Sequence, residues 1–195
     1  MRVIAGKYRS RPLRSLRGLD IRPTSDRLRE TLFNILTAGN PMALEGSVWL
    51  DLFAGTGAVG IEALSRGAKQ VCFFESSTAA VNLIRQNLQS LDIVSGFEIY
   101  QDELPRAFWR MEREHVAADV VFIDPPYRMK EAYRATLRAL ADSPVVWAMS
   151  MVIAEHERKF DPGGEFGPLR RFRTLVQGDA ALSFYRMASA ADVSG

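Results

Sequence analysis

The chain has 195 residues, of which 47% are hydrophobic and 25% charged, with a net charge of +2. That profile suits a soluble globular chain of about one domain, and no apolar run approaches the ~20 residues needed to cross a bilayer. Cys72 is the single cysteine, and His115 and His156 are the only histidines. An internal disulfide and a cysteine-rich zinc site are therefore excluded, and no metal is expected. Met1-Arg2-Val3-Ile4 opens no hydrophobic leader, so a cytoplasmic protein without a membrane anchor is expected.

The charge is uneven. Residues 1–30 carry nine basic and three acidic side chains, a local net charge of +6, which leaves −4 for the rest. Residues 1–22 read as a basic strand pair or arm with turns at Gly6 and Gly18. A polyanion is its natural partner. A leading helix over residues 24–37 follows. Thr24 or Ser25 is suited to cap it, Asp26 favours its positive end, and Leu28, Leu32, Ile35 and Leu36 give it an apolar face. Arg2, Lys7, Arg9, Arg11, Arg22, Arg27 and Arg29 are the candidate polyanion contacts.

From Val48 onward strands alternate with helices. Strands are predicted at Val48–Phe53, Gln70–Glu75, Phe97–Tyr100, Asp119–Ile123 and Ser150–Glu155. Helices are predicted at Ile61–Arg66, Thr78–Leu91, Glu103–Glu114 and Lys130–Ala141. Two closing strands, Leu169–Val176 and Ala181–Met187, flank the turn Gln177-Gly178-Asp179 and should pair antiparallel. The expectation is a doubly wound, mostly parallel α/β sheet with an antiparallel end.

Gly55, Gly57 and Gly60 form G-x-G-x-x-G between a strand and a helix, where the backbone must turn tightly and approach a ligand. Glu75 ends the next strand, suited to accept the hydroxyls of an adenosine ribose. Asp102 ends the third strand, beside an expected adenine. Either a dinucleotide or S-adenosylmethionine suits such a loop. Asp51 favours the second, since a carboxylate repels a pyrophosphate and attracts an ammonium.

The fourth predicted strand runs into Asp124-Pro125-Pro126-Tyr127. Two prolines cannot continue a ladder, so a carboxylate, a stiff turn and a ring stand at the strand's carboxyl end, where open α/β sheets bind ligands.

Asp51-Leu52-Phe53-Ala54-Gly55-Thr56-Gly57 resembles motif I of the class I S-adenosylmethionine-dependent methyltransferases. Asp124-Pro125-Pro126-Tyr127 resembles the motif IV of their amine-methylating branch. The run Arg22-Pro23-Thr24-Ser25-Asp26-Arg27-Leu28-Arg29-Glu30-Thr31-Leu32-Phe33-Asn34, with Arg2-Val3-Ile4-Ala5-Gly6-Lys7-Tyr8-Arg9 before it, closely resembles the RsmD family. The resemblance implies a Rossmann-like class I methyltransferase fold with seven strands, in a domain spanning residues 23–188; residues 189–195 read as a flexible tail. It implies S-adenosylmethionine held by Asp51, Phe53, Ala54, Gly55, Thr56, Gly57, Glu75 and Asp102. It implies methylation of the exocyclic N2 of a guanine in 16S ribosomal RNA, free or in an assembled small subunit, by a monomer. The catalytic group would be Asp124, Pro125, Pro126 and Tyr127. Adenine N6 in DNA or RNA, and a protein glutamine, are the alternative amines. Where relatives carry a Tyr-Gly-Asp-Thr-like turn, this chain has Gln177-Gly178-Asp179-Ala180.

Overall fold

The computed structural model describes residues 1–15, 25–102, 104, 111–113 and 116–188. They fall in two compact units, Met1–Asp102 and Glu103–Gly195. Most of the predicted helix 103–114, Arg22 and the tail 189–195 lie outside the described residues.

In the first unit, Ser25 caps α1 (Asp26–Leu36), its Oγ accepting the Leu28 N–H at 3.1 Å. The helix buries Leu28, Arg29, Leu32 and Phe33. Phe33 stacks on Trp49 with ring centroids 5.3 Å apart, worth about 0.5–1.5 kcal/mol beyond the area buried. Trp49 belongs to β1 (Val48–Leu52), which pairs parallel with β2 (Gln70–Phe74). On its other side β2 pairs parallel with β3 (Phe97–Tyr100). The strands read as apolar runs because both faces are covered. From Leu50 to Leu52 and from Val71 to Phe74 every residue is buried.

Helix α2 (Ala58–Ser65) starts three residues earlier than its apolar pattern suggested, directly after Gly57. Gly60 explains its close seat on the sheet, since a Cβ there would lie 2.4 Å from Phe73 Cε1 and 2.7 Å from Val71 Cγ1. Helix α3 (Thr78–Ser90) is capped by Ser77, whose Oγ accepts the Ala80 N–H.

In the second unit, β4 (Ala118–Ile123) pairs parallel with β5 (Val146–Glu157), and α4 (Lys130–Asp142) connects them. The chain then closes with β6 (Glu165–Phe166), β7 (Leu169–Gln177) and β8 (Ala180–Met187). β5 pairs antiparallel with β8, β8 with β7, and β7 with the two-residue β6. The predicted antiparallel hairpin is present. Among the described residues, β6 is the strand that makes eight instead of the expected seven.

Two boundaries differ for physical reasons. β5 begins at Val146, four residues before Ser150, because Trp147–Met149 bulge outward while the ladder resumes at Met151. Ser150 Oγ pins the bulge by donating to Ala118 O at 2.6 Å and accepting the Trp147 N–H at 2.9 Å. The final turn needs only Gly178 and Asp179 between paired Gln177 and Ala180. Gly178, at φ 63°, supplies the positive φ that a two-residue hairpin demands. The turn therefore forms with Gln177 and Ala180 as its paired ends.

Candidate active site

The glycine loop follows β1. Three of its residues have positive φ: Phe53 at 62°, Gly55 at 54° and Gly57 at 74°. For glycine this is ordinary. For phenylalanine it costs about 1–3 kcal/mol and persists only where the surroundings enforce it. Gly57 also sits where a Cβ would crowd Ile84 at 3.2 Å. Ala54 N–H donates to Phe74 O and Gly57 N–H to Ala54 O, so the loop is tied to β2 and folded on itself.

Asp51, 2% exposed, accepts the Gly60 N–H at 2.9 Å. Gly60 is the third residue of α2, and Gly57 at the cap position has no side chain. Asp51 thus does from β1 what a capping side chain does. Burial pushes its carboxyl up to about 7, against the pull of the Gly60 bond and with a push from Glu75. Glu75 bridges the loop: Oε2 accepts the Gly55 N–H at 2.9 Å and Oε1 the Ser77 N–H at 2.8 Å. Each carboxylate oxygen keeps further acceptor capacity. Thr56 is buried, and Asp102 is exposed past the end of β3.

Residues 51–65 hold no lysine or arginine. A cradle of bare backbone flanked by Asp51 and Glu75 suits a cation with hydroxyls to donate better than a pyrophosphate. Those residues fit S-adenosylmethionine.

Asn87 was not singled out for the site by its residue type. It is fully buried on α3, donates to Thr56 O at 3.0 Å and to Arg14 O at 3.2 Å, and accepts the Arg14 N–H at 2.8 Å. One side chain joins the glycine loop to the N-terminal segment. An asparagine on an apolar helix face is the signal that could have marked it.

In the second unit, Asp124-Pro125-Pro126-Tyr127 leaves the end of β4. Asp124, Pro126 and Tyr127 are half-buried and Pro125 is buried. Pro125 O accepts a hydrogen bond from Tyr133 Oη at 3.1 Å. Tyr133, fully buried on α4, packs against Phe160 and edge-on to His156. Burial, reinforced by the Asp124 charge, pushes its hydroxyl upward, so it stays protonated and donates. Tyr133 is the second residue that motif reading missed. A tyrosine on the apolar face of the helix following two prolines must find an acceptor, and that was its signal. His156 is occupied elsewhere: Nδ1 meets Glu157 O and Nε2 meets Ser183 Oγ, both at 2.9 Å, and burial lowers its pKa.

The N-terminal segment is no loose arm. Glu62, fully buried on α2, accepts the Ile4 N–H at 2.7 Å, the Ala5 N–H at 3.0 Å and Arg66 Nε at 2.7 Å. The strand pair expected there is reduced to a single antiparallel bridge, Arg2 to Pro12. Arg2, Lys7, Arg9, Arg11 and Arg27 are exposed. Arg29 is a correction. It is fully buried and donates to Arg2 O and Asp26 Oδ1, so it cannot meet a phosphate. Among the described residues its Nε and Nη1 have no partner. Burial lowers its pKa, while Glu62 and Asp26 support its charge.

A protein-family model described as Conserved hypothetical protein 95 matches residues 1–186. Ribosomal RNA small subunit methyltransferase D of Haemophilus influenzae is 39% identical over 135 residues, 69% of this chain and 68% of that one. The chain belongs to the RsmD family. YlbH of Bacillus subtilis is 30% identical over 186 residues, covering 95% of this chain and 98% of its own. YhhF of Escherichia coli has a solved structure that superposes with a TM-score of 0.80 at 27% identity, over 97% of this chain and 98% of that one. The chain accordingly has the Rossmann-like methyltransferase fold, with parallel strand pairs in each unit and antiparallel strands closing the second. Among the described residues no helix is long and apolar enough to cross a membrane, and no cluster of three or more metal-ligating side chains occurs.

Proposed function

We propose that this chain methylates the exocyclic N2 amine of a guanine in small-subunit ribosomal RNA, with S-adenosylmethionine as methyl donor. The observation that carries the reading is the Asp-Pro-Pro-Tyr turn at the end of β4, with the Pro125 carbonyl anchored by Tyr133. The names of the RsmD relatives supply the RNA. Bacterial ribosomal RNA also implies a cytoplasmic setting.

S-adenosylmethionine supplies an electrophilic methyl group. Gly55, Gly57 and the backbone of Phe53, Ala54 and Thr56 would cradle it, with Glu75 on the ribose hydroxyls, Asp102 toward the adenine and Asp51 favouring its ammonium end. The remaining task is to make a poor nucleophile react. The N2 lone pair of guanine is conjugated with the ring. Two acceptors on its two N–H bonds draw the nitrogen toward tetrahedral geometry and free that pair. Asp124 is one acceptor and Pro125 O the other. Pro126 has no N–H and a fixed φ, so the carbonyl before it is held stiffly. Tyr127 offers a ring for the base to stack on. The nitrogen gains a methyl and sheds a proton, and Asp124 is the carboxylate available to take it. Catalysis then rests largely on positioning.

A base in a helical stack cannot enter such a pocket, so the target is flipped or already unpaired. Arg2, Lys7, Arg9, Arg11 and Arg27, with Arg22 beyond the described residues, would hold phosphates and set register without reading the base. In Asp124→Ala, methyl transfer should fall by about 10²- to 10⁴-fold while calorimetry shows S-adenosylmethionine still binding. Full turnover in that variant would remove Asp124 from the mechanism.

A further inference from the structure

The second unit carries a surface that the methyl-transfer chemistry does not use. β7 and β8 pair Arg171 with Tyr185 and then Arg173 with Phe184, so one extra residue, Phe172, is inserted opposite a single step of β8. Such a bulge re-aims side chains. Here it turns Phe172 and Arg173 to the same face as Phe184 and Arg186. Arg173 lies 5.7 Å over the Phe184 ring, Arg186 lies 5.4 Å over the Phe172 ring, and the two rings are 6.4 Å apart. Phe172 is 46% exposed, and neither arginine is ion-paired among the described residues. Their neighbours differ: Arg170 is bridged to Glu165 and Arg171 to Asp161.

A guanidinium over a ring is held by cation–π attraction while its N–H groups stay available. That geometry suits bidentate contact with a phosphate. The exposed part of the Phe172 ring, beside two guanidiniums, suits contact with a nucleobase. We propose that Phe172, Arg173 and Arg186 form a second contact surface for single-stranded RNA, gripping nucleotides that flank the target base. The proposal rests on the RNA reading above. Register supports it. Phe122, Ile153, Phe184 and Arg173 lie side by side across β4, β5, β8 and β7. Arg173 is thus three strand spacings, about 14 Å, from the strand that leads into Asp124. A few nucleotides span that distance. Charge argues for RNA over a protein strand added to the edge, since an added strand would use the backbone and leave both guanidiniums uncompensated.

The test has two parts on the full chain. In Arg173→Gln with Arg186→Gln, the Kd for small-subunit ribosomal RNA should rise about tenfold or more, and the slope of log K against log salt should shrink by about 1.4. Cofactor affinity and the rate at saturating RNA should stay as in the wild type. Separately, p-benzoylphenylalanine in place of Phe172 should photocrosslink to ribosomal RNA when mixed with assembled small subunits. An unchanged Kd and salt slope, in a protein whose parent methylates RNA, would overturn the surface alone, as would a crosslink to ribosomal protein only. If the parent neither binds nor methylates ribosomal RNA, the RNA reading falls and this surface with it.

Discussion

Tyr133 and Asp51 act through hydrogen bonds to the backbone, and both are testable one atom at a time. Tyr133→Phe removes the hydroxyl on Pro125 O and keeps the ring against Phe160. If that bond orients the carbonyl for the amine, kcat should fall about 2- to 12-fold, the weight of a neutral hydrogen bond, with KM for RNA unchanged. A rise in KM alone would assign Tyr133 to substrate binding. Asp51 bears on stability. Its ordinary value is 3.8 and its folded value about 7. Between those values the folded protein holds a proton that the unfolded chain has released, so this contribution is intact at low pH and is lost as pH rises through 7. Denaturant melts should show the wild type losing on the order of 3 kcal/mol from pH 5 to pH 8 relative to Asp51→Asn. Equal pH slopes in the two proteins would mean that Asp51 is charged throughout.

At the scale of elements, the N-terminal segment and α2 form one structure. Glu62 holds Ile4 and Ala5 by their amides, Ser65 O accepts the Lys7 N–H, and Ser65 Oγ accepts the Tyr8 N–H. Gly6 fits only as glycine, because a Cβ would lie 1.8 Å from Ser65 O and its φ is 80°. Glu62→Gln breaks the ion pair with Arg66, removes a charge that supports buried Arg29, and should cost about 3–5 kcal/mol by chemical denaturation. A loss under 1 kcal/mol would show the network to be solvated in practice. Removing residues 1–15 is for the same reason a stability lesion. The basic segment's proposed role in RNA binding is better tested by charge reversal at Arg2 and Arg9. Such reversal should weaken RNA binding and its salt dependence without lowering Tm, and an unchanged salt slope would leave the segment a purely structural role.

The helix carrying Arg29 shows where pattern reading reaches and stops. Leu28, Leu32, Ile35 and Leu36 suggested one apolar face, which left Arg29 outside. Counting Phe33 turns that face toward residues 28, 29, 32 and 33, which are the buried ones. The arginine follows the ring inward, because a stem of three methylenes can be buried if its head finds oxygens. Ser25, the glycine loop and the closing hairpin were legible because each depends on local chemistry: a capping hydroxyl, a positive φ, a two-residue turn. The bulge at Trp147–Met149 and the one at Phe172 were not. Each depends on a hydrogen bond or a ring contact to a strand distant in sequence.

For the whole molecule, the proposed methyl transfer assigns one part to each unit. The first carries a bare-backbone loop flanked by carboxylates. The second carries an acidic, proline-stiffened turn at a strand's carboxyl end. Both parts stand out from the sequence because local backbone limits require them. What the pattern alone does not contain is the substrate, since adenine N6, guanine N2 and a glutamine amide all offer two N–H bonds to the same two acceptors. The RsmD relatives and the basic surfaces incline the choice to ribosomal RNA. Incubating the protein and S-adenosylmethionine bearing a labelled methyl group with small subunits, naked ribosomal RNA and DNA, followed by nucleoside analysis, would test that choice most directly. The prediction is label in N2-methylguanosine at one position of small-subunit RNA. Label in N6-methyladenine, or in protein alone, would contradict it.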